Sequence, residues 1–358
     1  MIAQQYLDKW TNLHVLAIGE AMLDCYLEGT SNRLCREAPV PIVDINSLKD
    51  VPGGAANTAA NIARLGASVS FLSVIGADLE GDRLKRTLQE RGISTHNLIA
   101  STQRQTLLKQ RISSDSQLLL RCDRGSTENI DPQIENQLIE NLNRLYPTCD
   151  ATVISDYGGG ILTPRIIQTI AQLQTHYPRT IVVDSKQLKN FQSVNITAIK
   201  PNYQQAIQLL EISALKGKER IQQIVDWGEK LLDLINTQLA AVTLDAEGAI
   251  IFERNNPPYI IPSHPTSNSQ ATGAGDTFVS GLTLALAAGA AGKLAASIAS
   301  ATAAIVVTQP GTTTCSLSAL HQSLSGNQKL VVSRESLVTS IQEHRNWKHK
   351  IVFTNGCF

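Results

Sequence analysis

Residues 271–278, Ala-Thr-Gly-Ala-Gly-Asp-Thr-Phe, stand directly before a long run of Ala, Gly, Leu and Val. Glycine lets a backbone approach a ligand closely, and the amides of residues 274–276 would point outwards from a helix N-terminus, where anions are favoured. Such amides can stabilise the charge that develops on a transferring phosphoryl group, while Asp276 accepts the proton of an attacking hydroxyl. The stretch predicts a phosphoryl-transfer site over residues 273–276, with an ordinary glycine turn as the alternative.

The apolar run that follows, residues 278–307, is long enough to suggest a membrane span. Lys293 interrupts it, however, and Gly289 and Gly292 break its helical pattern. A span needs about 20 apolar residues without a charge, so two closely packed helices fit this stretch better.

Apolar runs and amphipathic segments alternate along the rest of the chain and predict an α/β fold. The predicted strands are 13–19, 40–45, 68–76, 151–155, 180–184, 197–200, 239–245 and 249–253. The predicted helices are 53–66, 81–92, 131–145, 164–176, 203–211 and 219–236. Repeated β-α units imply a parallel sheet covered on both faces, with ligand sites at the carboxyl ends of its strands. Residues 104–121 alternate polar and apolar side chains, which predicts a hairpin or small sheet with one solvated face.

Composition excludes several functional classes. The chain has 358 residues, 42% of them hydrophobic, which is enough for one large α/β domain or two ordinary ones. Lys and Arg total 31, as do Asp and Glu, and a balanced charge argues against a nucleic-acid or membrane-surface binder. The N-terminal residues do not resemble a signal peptide, and six scattered cysteines lack metal-ligand spacing. We therefore expect reduced thiols and a cytoplasmic location.

A second glycine site lies in the first third of the chain. Gly53 and Gly54 open a predicted helix, where small residues leave room for a substrate. Asn57 offers both a donor and an acceptor to hydroxyl groups. Asp24 follows the first predicted strand and either accepts sugar hydroxyls or serves as a turn or cap residue.

Three motifs follow one another along the chain: Gly19-x-x-x-x-Asp24, Gly53-Gly54-x-x-Asn57 and Gly273-Ala274-Gly275-Asp276. Over roughly residues 13–320 the chain resembles the ribokinase-like (PfkB) sugar kinases. The resemblance implies a central, mostly parallel β-sheet flanked by helices, a small β-sheet lid, and phosphate transfer from ATP to a sugar hydroxyl. It also implies Mg²⁺ held through water and Asn202, a monovalent cation such as K⁺, and a homodimer formed through the lid. The nucleotide-binding residues that it implies are Lys186, Asn202, Thr243, Gly248 and Thr272.

Further motifs resemble the heptose-7-phosphate kinases within this family. These are Glu37-Ala38-Pro39-Val40-Pro41 after Asn32-Arg33, Thr106-x-x-Lys109-x-Arg111, Gln117-x-Leu119-x-Arg121-x-Asp123 and Ser155-Asp156-Tyr157-Gly158. Residues 350–358 resemble the first strand of the nucleotidyltransferase domain that follows this kinase in a bifunctional protein. We expect a kinase domain over 1–321 with lid segments at about 30–50 and 101–124, a linker over 322–346, and a severed first strand over 347–358. Adenylyltransferase activity is not expected.

Four cations fall in the predicted lid segments. Arg33, Lys109, Arg111 and Arg121 either grip the phosphate of a sugar or form the solvated face of a ribbon. Lys186, at a predicted strand end, either reaches a phosphate or is a surface lysine.

Three positions depart from the family pattern. Gln270 stands where the family has an Asp that helps to hold a monovalent cation, Gln205 replaces the Glu of Asn-x-x-Glu, and Gly159 replaces a lysine. Removing carboxylates should weaken the attraction for a metal ion.

The resemblance implies transfer of the ATP γ-phosphoryl group to the anomeric hydroxyl of D-glycero-D-manno-heptose 7-phosphate, an ADP-heptose precursor. The alternatives are another sugar or nucleoside kinase of the family, a weakly active sugar-phosphate-binding protein, and an inactive truncated product. Neither nucleic acid nor membrane is an expected partner.

Overall fold

Two β-sheets and the helices around the larger one make up the fold. The structure, a computed structural model, describes residues 3–115, 117–217, 219–263, 272–324 and 341. The strands are β1 (His14–Gly19), β2 (Ala21–Leu34), β3 (Pro41–Gly54), β4 (Ser68–Gly76), β5 (Leu98–Ser101), β6 (Leu107–Ser114), β7 (Gln117–Arg124), β8 (Ala151–Asp156), β9 (Thr180–Ser185), β10 (Ala198–Ile199), β11 (Leu239–Thr243), β12 (Ala249–Glu253) and β13 (Tyr259–Ile261). The helices are α1 (Gln4–Leu7), α2 (Ala55–Arg64), α3 (Leu79–Gln89), α4 (Pro132–Leu145), α5 (Pro164–His176), α6 (Tyr203–Leu210), α7 (Glu219–Ile235), α8 (Ala274–Ala287), α9 (Gly292–Val306) and α10 (Leu317–Leu324).

The larger sheet has nine strands in the described part of the chain, in the order β13-β12-β11-β10-β9-β8-β1-β4-β5. Its pairs are parallel except β11 with β12 and β12 with β13, so most strands point their carboxyl ends to the same edge. The predicted α/β class with a mostly parallel sheet is confirmed. The short strands β5 and β13 were not predicted.

Strand side chains alternate between two apolar cores, one on each face of this sheet. In β1, Val15 and Ala17 join the core beneath α2, α3, α8 and α9, whereas Leu16 and Ile18 join the core beneath α4 to α7. β1 is therefore buried on both sides, which is why such a parallel strand appears in the sequence as a continuous apolar run.

The apolar run of residues 278–307 forms the two packed helices that the sequence predicts, α8 and α9. A Cβ at Gly281 would lie 2.8 Å from Thr302 Oγ1, so the absence of a side chain lets the helices approach closely. Among the described helices, not one combines the length and the apolar character needed to cross a bilayer.

The smaller sheet, the lid, has the strand order β3-β2-β6-β7. The predicted hairpin at 104–121 is confirmed as β6 and β7, but the lid is larger than expected because β2 begins at Ala21. The predicted strand 40–45 extends over 41–54, so Gly53 and Gly54 end a strand and α2 begins at Ala55. Asp24 consequently lies inside a lid strand, and its interpretation as a turn or cap residue is wrong.

The predicted domain end at 321 falls within α10, which continues to Leu324 and buries Leu320 against the rest of the domain. The predicted strand over 347–358 and nearly all of the linker over 322–346 lie outside the described residues.

Candidate active site

Asp276 lies in the first turn of α8, at the carboxyl edge of the large sheet, and only 6% of its surface is exposed. Its Oδ2 accepts a hydrogen bond from Asn57 Nδ2 at 2.8 Å, and its Oδ1 accepts one from the Tyr157 hydroxyl at 2.6 Å. A carboxylate offers about four acceptor positions, so each oxygen keeps one for a further donor. Asp276 is thus an acceptor that is held in a fixed position, and its role as the base stays a prediction.

Burial raises the pKa of Asp276 from 3.8 to about 6, and the hydrogen bonds from Asn57 and Tyr157 oppose that rise. Burial, followed by the nearby Asp276 charge, also raises the pKa of Tyr157, so this phenol remains a donor. A carboxyl group with a pKa near neutrality suits proton transfer at physiological pH.

Two glycines make this arrangement possible. Gly273 caps α8 with φ +83°, and a Cβ there would lie 2.9 Å from Asn57 Nδ2. Gly54, with φ +58°, links β3 to α2, which carries Asn57. The predicted glycine pair and the glycine-rich loop are therefore brought together around one carboxylate.

Asn57 contacts the Asp276 carboxylate directly. The residue is buried, its amide donates to Asp276, and its side-chain and main-chain oxygens accept from Asn61 Nδ2. These contacts indicate that Asn57 orients the carboxylate, and the binding of sugar hydroxyls by Asn57 stays a prediction.

Asp24 projects from the lid towards the same space. Its Oδ1 accepts from Arg111 Nη1 at 2.8 Å, and its Oδ2 accepts from Thr312 Oγ1 at 3.1 Å. A Cβ at Gly53 would lie 2.6 Å from Asp24 Oδ2, so Gly53 provides the room for this carboxylate. The predicted substrate residues Asp24 and Arg111 are brought together, although as an ion pair.

The register of the lid strands gathers further charged side chains on this face. Asp24 lies beside Lys109, and Lys109 lies opposite Asp123. Arg111 lies opposite Arg121, whose exposed guanidinium pairs with Asp123 at 2.9 Å.

Arg33 is not part of this group. It lies nine positions beyond Asp24 along β2, a distance on the order of 30 Å at the usual rise per strand residue. Its side chain is 67% exposed, and its one ion pair with a described residue is with Asp44, at 3.8 Å. The structure therefore does not bring it to the predicted phosphate contacts within one chain.

Tyr157 connects the lid to the large sheet and was overlooked as a site residue. Lys109 Nζ lies 5.5 Å and Lys186 Nζ 5.7 Å from the centre of its ring, while its hydroxyl donates to Asp276. The predicted Lys186 is therefore close to the site. The sequence held a signal for Tyr157, because it belongs to a segment, residues 155–158, that the family resemblance singled out.

A buried ion pair under the glycine-rich loop was also missed. Lys200 Nζ pairs with Asp184 at 3.0 Å, and a Cβ at Gly275 would lie 3.4 Å from the same Nζ. Burial raises the pKa of Asp184, and Lys200 counteracts this rise. The ammonium group thus adds positive charge directly below the amides of α8.

Comparison with known proteins agrees with this geometry. The sequence profile of the pfkB family carbohydrate kinases matches residues 12–319. The chain belongs to that family. The bifunctional protein HldE of Desulfatibacillum aliphaticivorans is 31% identical over 353 residues, which cover 98% of this chain and 71% of that protein.

Solved structures share the fold at lower identity. Phosphofructokinase-2 from Escherichia coli, in complex with potassium, has a TM-score of 0.70 and 17% identity, covering 87% of this chain and 98% of that one. Ribokinase from Arabidopsis thaliana, complexed with ribose and ATP, has a TM-score of 0.66 and 17% identity, covering 89% and 99%. At these identities the match supports the fold alone. The protein is an ATP-dependent carbohydrate kinase by family membership.

On the predicted nucleotide side of the kinase, Asn202 caps α6. Its side chain accepts from Gln205 N at 2.8 Å, and Gln205 Oε1 accepts from Asn202 N at 2.7 Å. Gln205 therefore performs the capping that a Glu would perform, without the charge. Thr243 forms an isolated parallel β-bridge with Asn202. Gly248 has φ +97°, and a Cβ at this position would clash with the main-chain oxygen of Ile261. Thr272 is exposed at the start of the loop before α8.

These residues fit a hydrated Mg²⁺ that is held mainly by nucleotide phosphates. No cluster of three or more His, Cys, Asp or Glu side chains that could chelate a metal occurs among the described residues. Asp184 and Asn202 offer the hard oxygen atoms that Mg²⁺ prefers, and this ion keeps several of its waters. Lys200 already neutralises Asp184, so the protein contributes little negative charge of its own.

Besides Gln205, the structure describes a second departure from the family pattern, Gly159. A Cβ at Gly159 would lie 2.6 Å from Glu20 Cγ, so buried Glu20 occupies the space that a lysine would need. Glu20 accepts from the Tyr157 amide at 2.7 Å, and Gly159 itself accepts from Arg104 at 2.6 Å. The loop that carries Tyr157 is therefore fixed by other residues. Gln270 and Ala271 lie outside the described residues.

The raised pKa of Asp276 predicts a pH-dependent stability. The folded protein holds this proton up to about pH 6, whereas the unfolded chain releases it near 3.8. The resulting contribution to the free energy of unfolding is complete below the lower value and is lost as pH rises through the higher one. Asp276→Asn cannot titrate, so its stability relative to the wild type should increase over this interval.

Urea unfolding of both proteins at several pH values between about 4 and 8 measures this difference, in which titrating groups that do not interact with Asp276 cancel. A difference that stays constant over the whole range would contradict the raised pKa.

Proposed function

We propose that this kinase transfers the ATP γ-phosphoryl group to the anomeric hydroxyl of a heptose 7-phosphate. The observation that carries the proposal is the position of Lys109. This lysine stands beside Asp24 in the lid and over the Tyr157 ring, whose hydroxyl bonds Asp276. A cation near the base, with Arg111 and Arg121 further along the lid, suits a sugar that carries a phosphate away from its reacting hydroxyl. The motif resemblance to heptose-7-phosphate kinases supports the same substrate.

In the mechanism, a free lone pair of Asp276 receives the proton of the attacking hydroxyl. Asn57 and Tyr157 hold the carboxylate in place while it does so. The amides at the start of α8 and the ammonium of Lys200 stabilise charge on the transferring group. When bound, Mg²⁺ neutralises the nucleotide phosphates.

In this proposal the lid binds the sugar. Asp24 keeps one acceptor position on each oxygen beside its bonds from Arg111 and Thr312. Sugar hydroxyls can use these positions, and the closed lid excludes water that would otherwise hydrolyse ATP.

A weakly active sugar-phosphate-binding protein is the second candidate, favoured by the uncharged Gln205 in place of a carboxylate. It shares the lid contacts of the first candidate but predicts binding without turnover. A monovalent-cation requirement and a cytoplasmic location stay predictions.

The proposed assembly is a homodimer that forms through the lid. The face opposite Asp24 carries an apolar row across all four lid strands, namely Leu48, Leu27, Ile112 and Leu120. Leu48 and Leu120 are 57% and 53% exposed, and nearby Leu118 is 54% exposed. An apolar patch on an exposed sheet is typical of an interface, and a second copy would cover it.

Asp276→Asn should lower kcat roughly 100- to 10,000-fold, because an amide cannot take the proton. ADP release with ATP and Mg²⁺, measured over a panel of heptose and hexose phosphates and their dephosphorylated forms, tests the substrate and the base together. Turnover restricted to heptose 7-phosphate supports the proposal. An absence of ADP release with every sugar of the panel, together with thermal stabilisation by sugar phosphate, would instead support the binding-protein candidate.

Lys109→Gln should raise KM for the phosphorylated sugar about tenfold or more, since it removes a charged hydrogen bond to phosphate. The KM of ATP should change little. Arg33→Gln, which removes a lid cation outside the site, is the matched control and should behave like the wild type. Equal effects of the two substitutions would show that the lid contributes only its general charge.

Replacing both Leu48 and Leu120 by Asp should convert a dimer into a monomer, because burying two carboxylates in an apolar interface is unfavourable. Ile260→Asp is the control, since Ile260 is 44% exposed but lies on β13, an edge strand of the large sheet and not of the lid. Sedimentation velocity gives the mass of each species. A monomeric wild type, or a dimer that survives the double substitution, would refute a lid interface.

A further inference from the structure

A polar cavity lies between the base of the lid, the C-terminal ends of α2 and α3, and the start of α10. We name it the α10 pocket and define it by Lys49, Arg64, Arg91, Thr312, Thr313 and Ser316. Its volume of about 330 Å³ falls in the range of small-molecule sites. The side chains that line it include three cations and no Asp or Glu among the described residues.

Among the described residues, these cations form no ion pairs. Within the part of the chain that the structure describes, neither Lys49 nor Arg64 forms an ion pair with a carboxylate, and Arg91 donates only to the main-chain oxygen of Thr87, at 2.7 Å. The adjacent Glu90 attracts Arg91 without pairing with it, and burial lowers the pKa of Arg91. Arg64 and Arg91 each complement the C-terminal end of a helix, but that role does not explain why both meet Lys49 at one cavity.

An unsatisfied hydroxyl points to the same place. Thr313 Oγ1 is buried and has no hydrogen-bond partner in the described part of the chain. Leaving such a group unpaired costs on the order of 1–3 kcal/mol. The neighbouring Ser316 caps the start of α10, where its Oγ accepts from Ala319 N at 3.1 Å. A ligand with several acceptor oxygens would satisfy both the hydroxyl and the cations.

We propose that the α10 pocket binds a small phosphate-bearing molecule, distinct from the sugar and the nucleotide of the reaction. Three cations, several hydroxyls and a helix start together match the charge and the acceptor oxygens of a phosphate group. The catalytic mechanism assigns no role to Lys49, Arg64 or Arg91.

The pocket is linked to the sugar site through Thr312. Its amide donates to the Tyr26 hydroxyl at 2.8 Å, and its Oγ1 donates to Asp24 at 3.1 Å. A ligand that holds the Thr312–Thr313 segment stabilises the conformation in which Asp24 faces the sugar. Occupation of the pocket therefore strengthens sugar binding.

Thermal unfolding of the full chain in a titration with inorganic phosphate tests the site, with hydrogen exchange at the Thr312 amide as a second readout. We expect phosphate to raise the melting temperature and slow this exchange. Both effects should disappear in the variant Lys49→Gln with Arg64→Gln, whose substituted side chains are exposed and should not disturb folding.

Two further variants make the result specific. Arg36→Gln with Arg86→Gln removes the same charge from exposed positions elsewhere and should retain both effects. Lys109→Gln with Lys186→Gln removes the cations of the reaction site and should also retain them. Loss of the effects in this last variant alone, loss in every variant alike, or no response of the wild type would overturn the proposal.

Discussion

The hydrogen-bonded burial of the Asp276 carboxylate is the constraint on which the site depends. An isolated buried carboxylate would be strongly unfavourable, so donors must come from elements that are distant in sequence. Asn57 comes from α2, and Tyr157 comes from the loop after β8. Gly273 must lack a side chain for the first contact to exist.

The residues that hold these two donors in place are themselves fixed by buried hydrogen bonds. Asn61 donates to Asn57 and accepts from both Thr277 and the amide of Cys315, which ties α2 to α8 and to the segment before α10. Glu20 holds the amide of Tyr157, and burial raises the pKa of Glu20 to about 7. The catalytic end of the sheet is consequently rich in buried polar groups, which stabilise one geometry when all of them are satisfied.

Much of this could be predicted from the sequence, because glycines and apolar periodicity report local backbone needs. The glycine-rich loop, Asp276 and the parallel sheet were all recognised in this way. The predictions that failed concern which elements of the fold meet in space. Asp24 was expected near a turn because β2 was missed, although Leu23, Cys25 and Leu27 alternate there with polar residues. No local signal indicates that Asn57 turns towards Asp276.

The sequence also does not show which charged side chains lie together in the site. Arg33 resembles the other lid cations in the sequence, and only the length of β2 removes it from the site. Lys200 ends the predicted strand 197–200 before a proline, and its position under Gly275 follows from the neighbouring strand β9, which supplies Asp184.

The titration of the Asp276 carboxyl group tests the central claim most directly. Carbon NMR of protein labelled at its Asp carboxyl carbons, with Asp276→Asn to assign the resonance, gives the midpoint. A value near 6, rising further in Tyr157→Phe because a stabilising donor is lost, is the expected result. A midpoint at or below 3.8 that Tyr157→Phe leaves unchanged would show that the carboxylate is neither buried nor held as described.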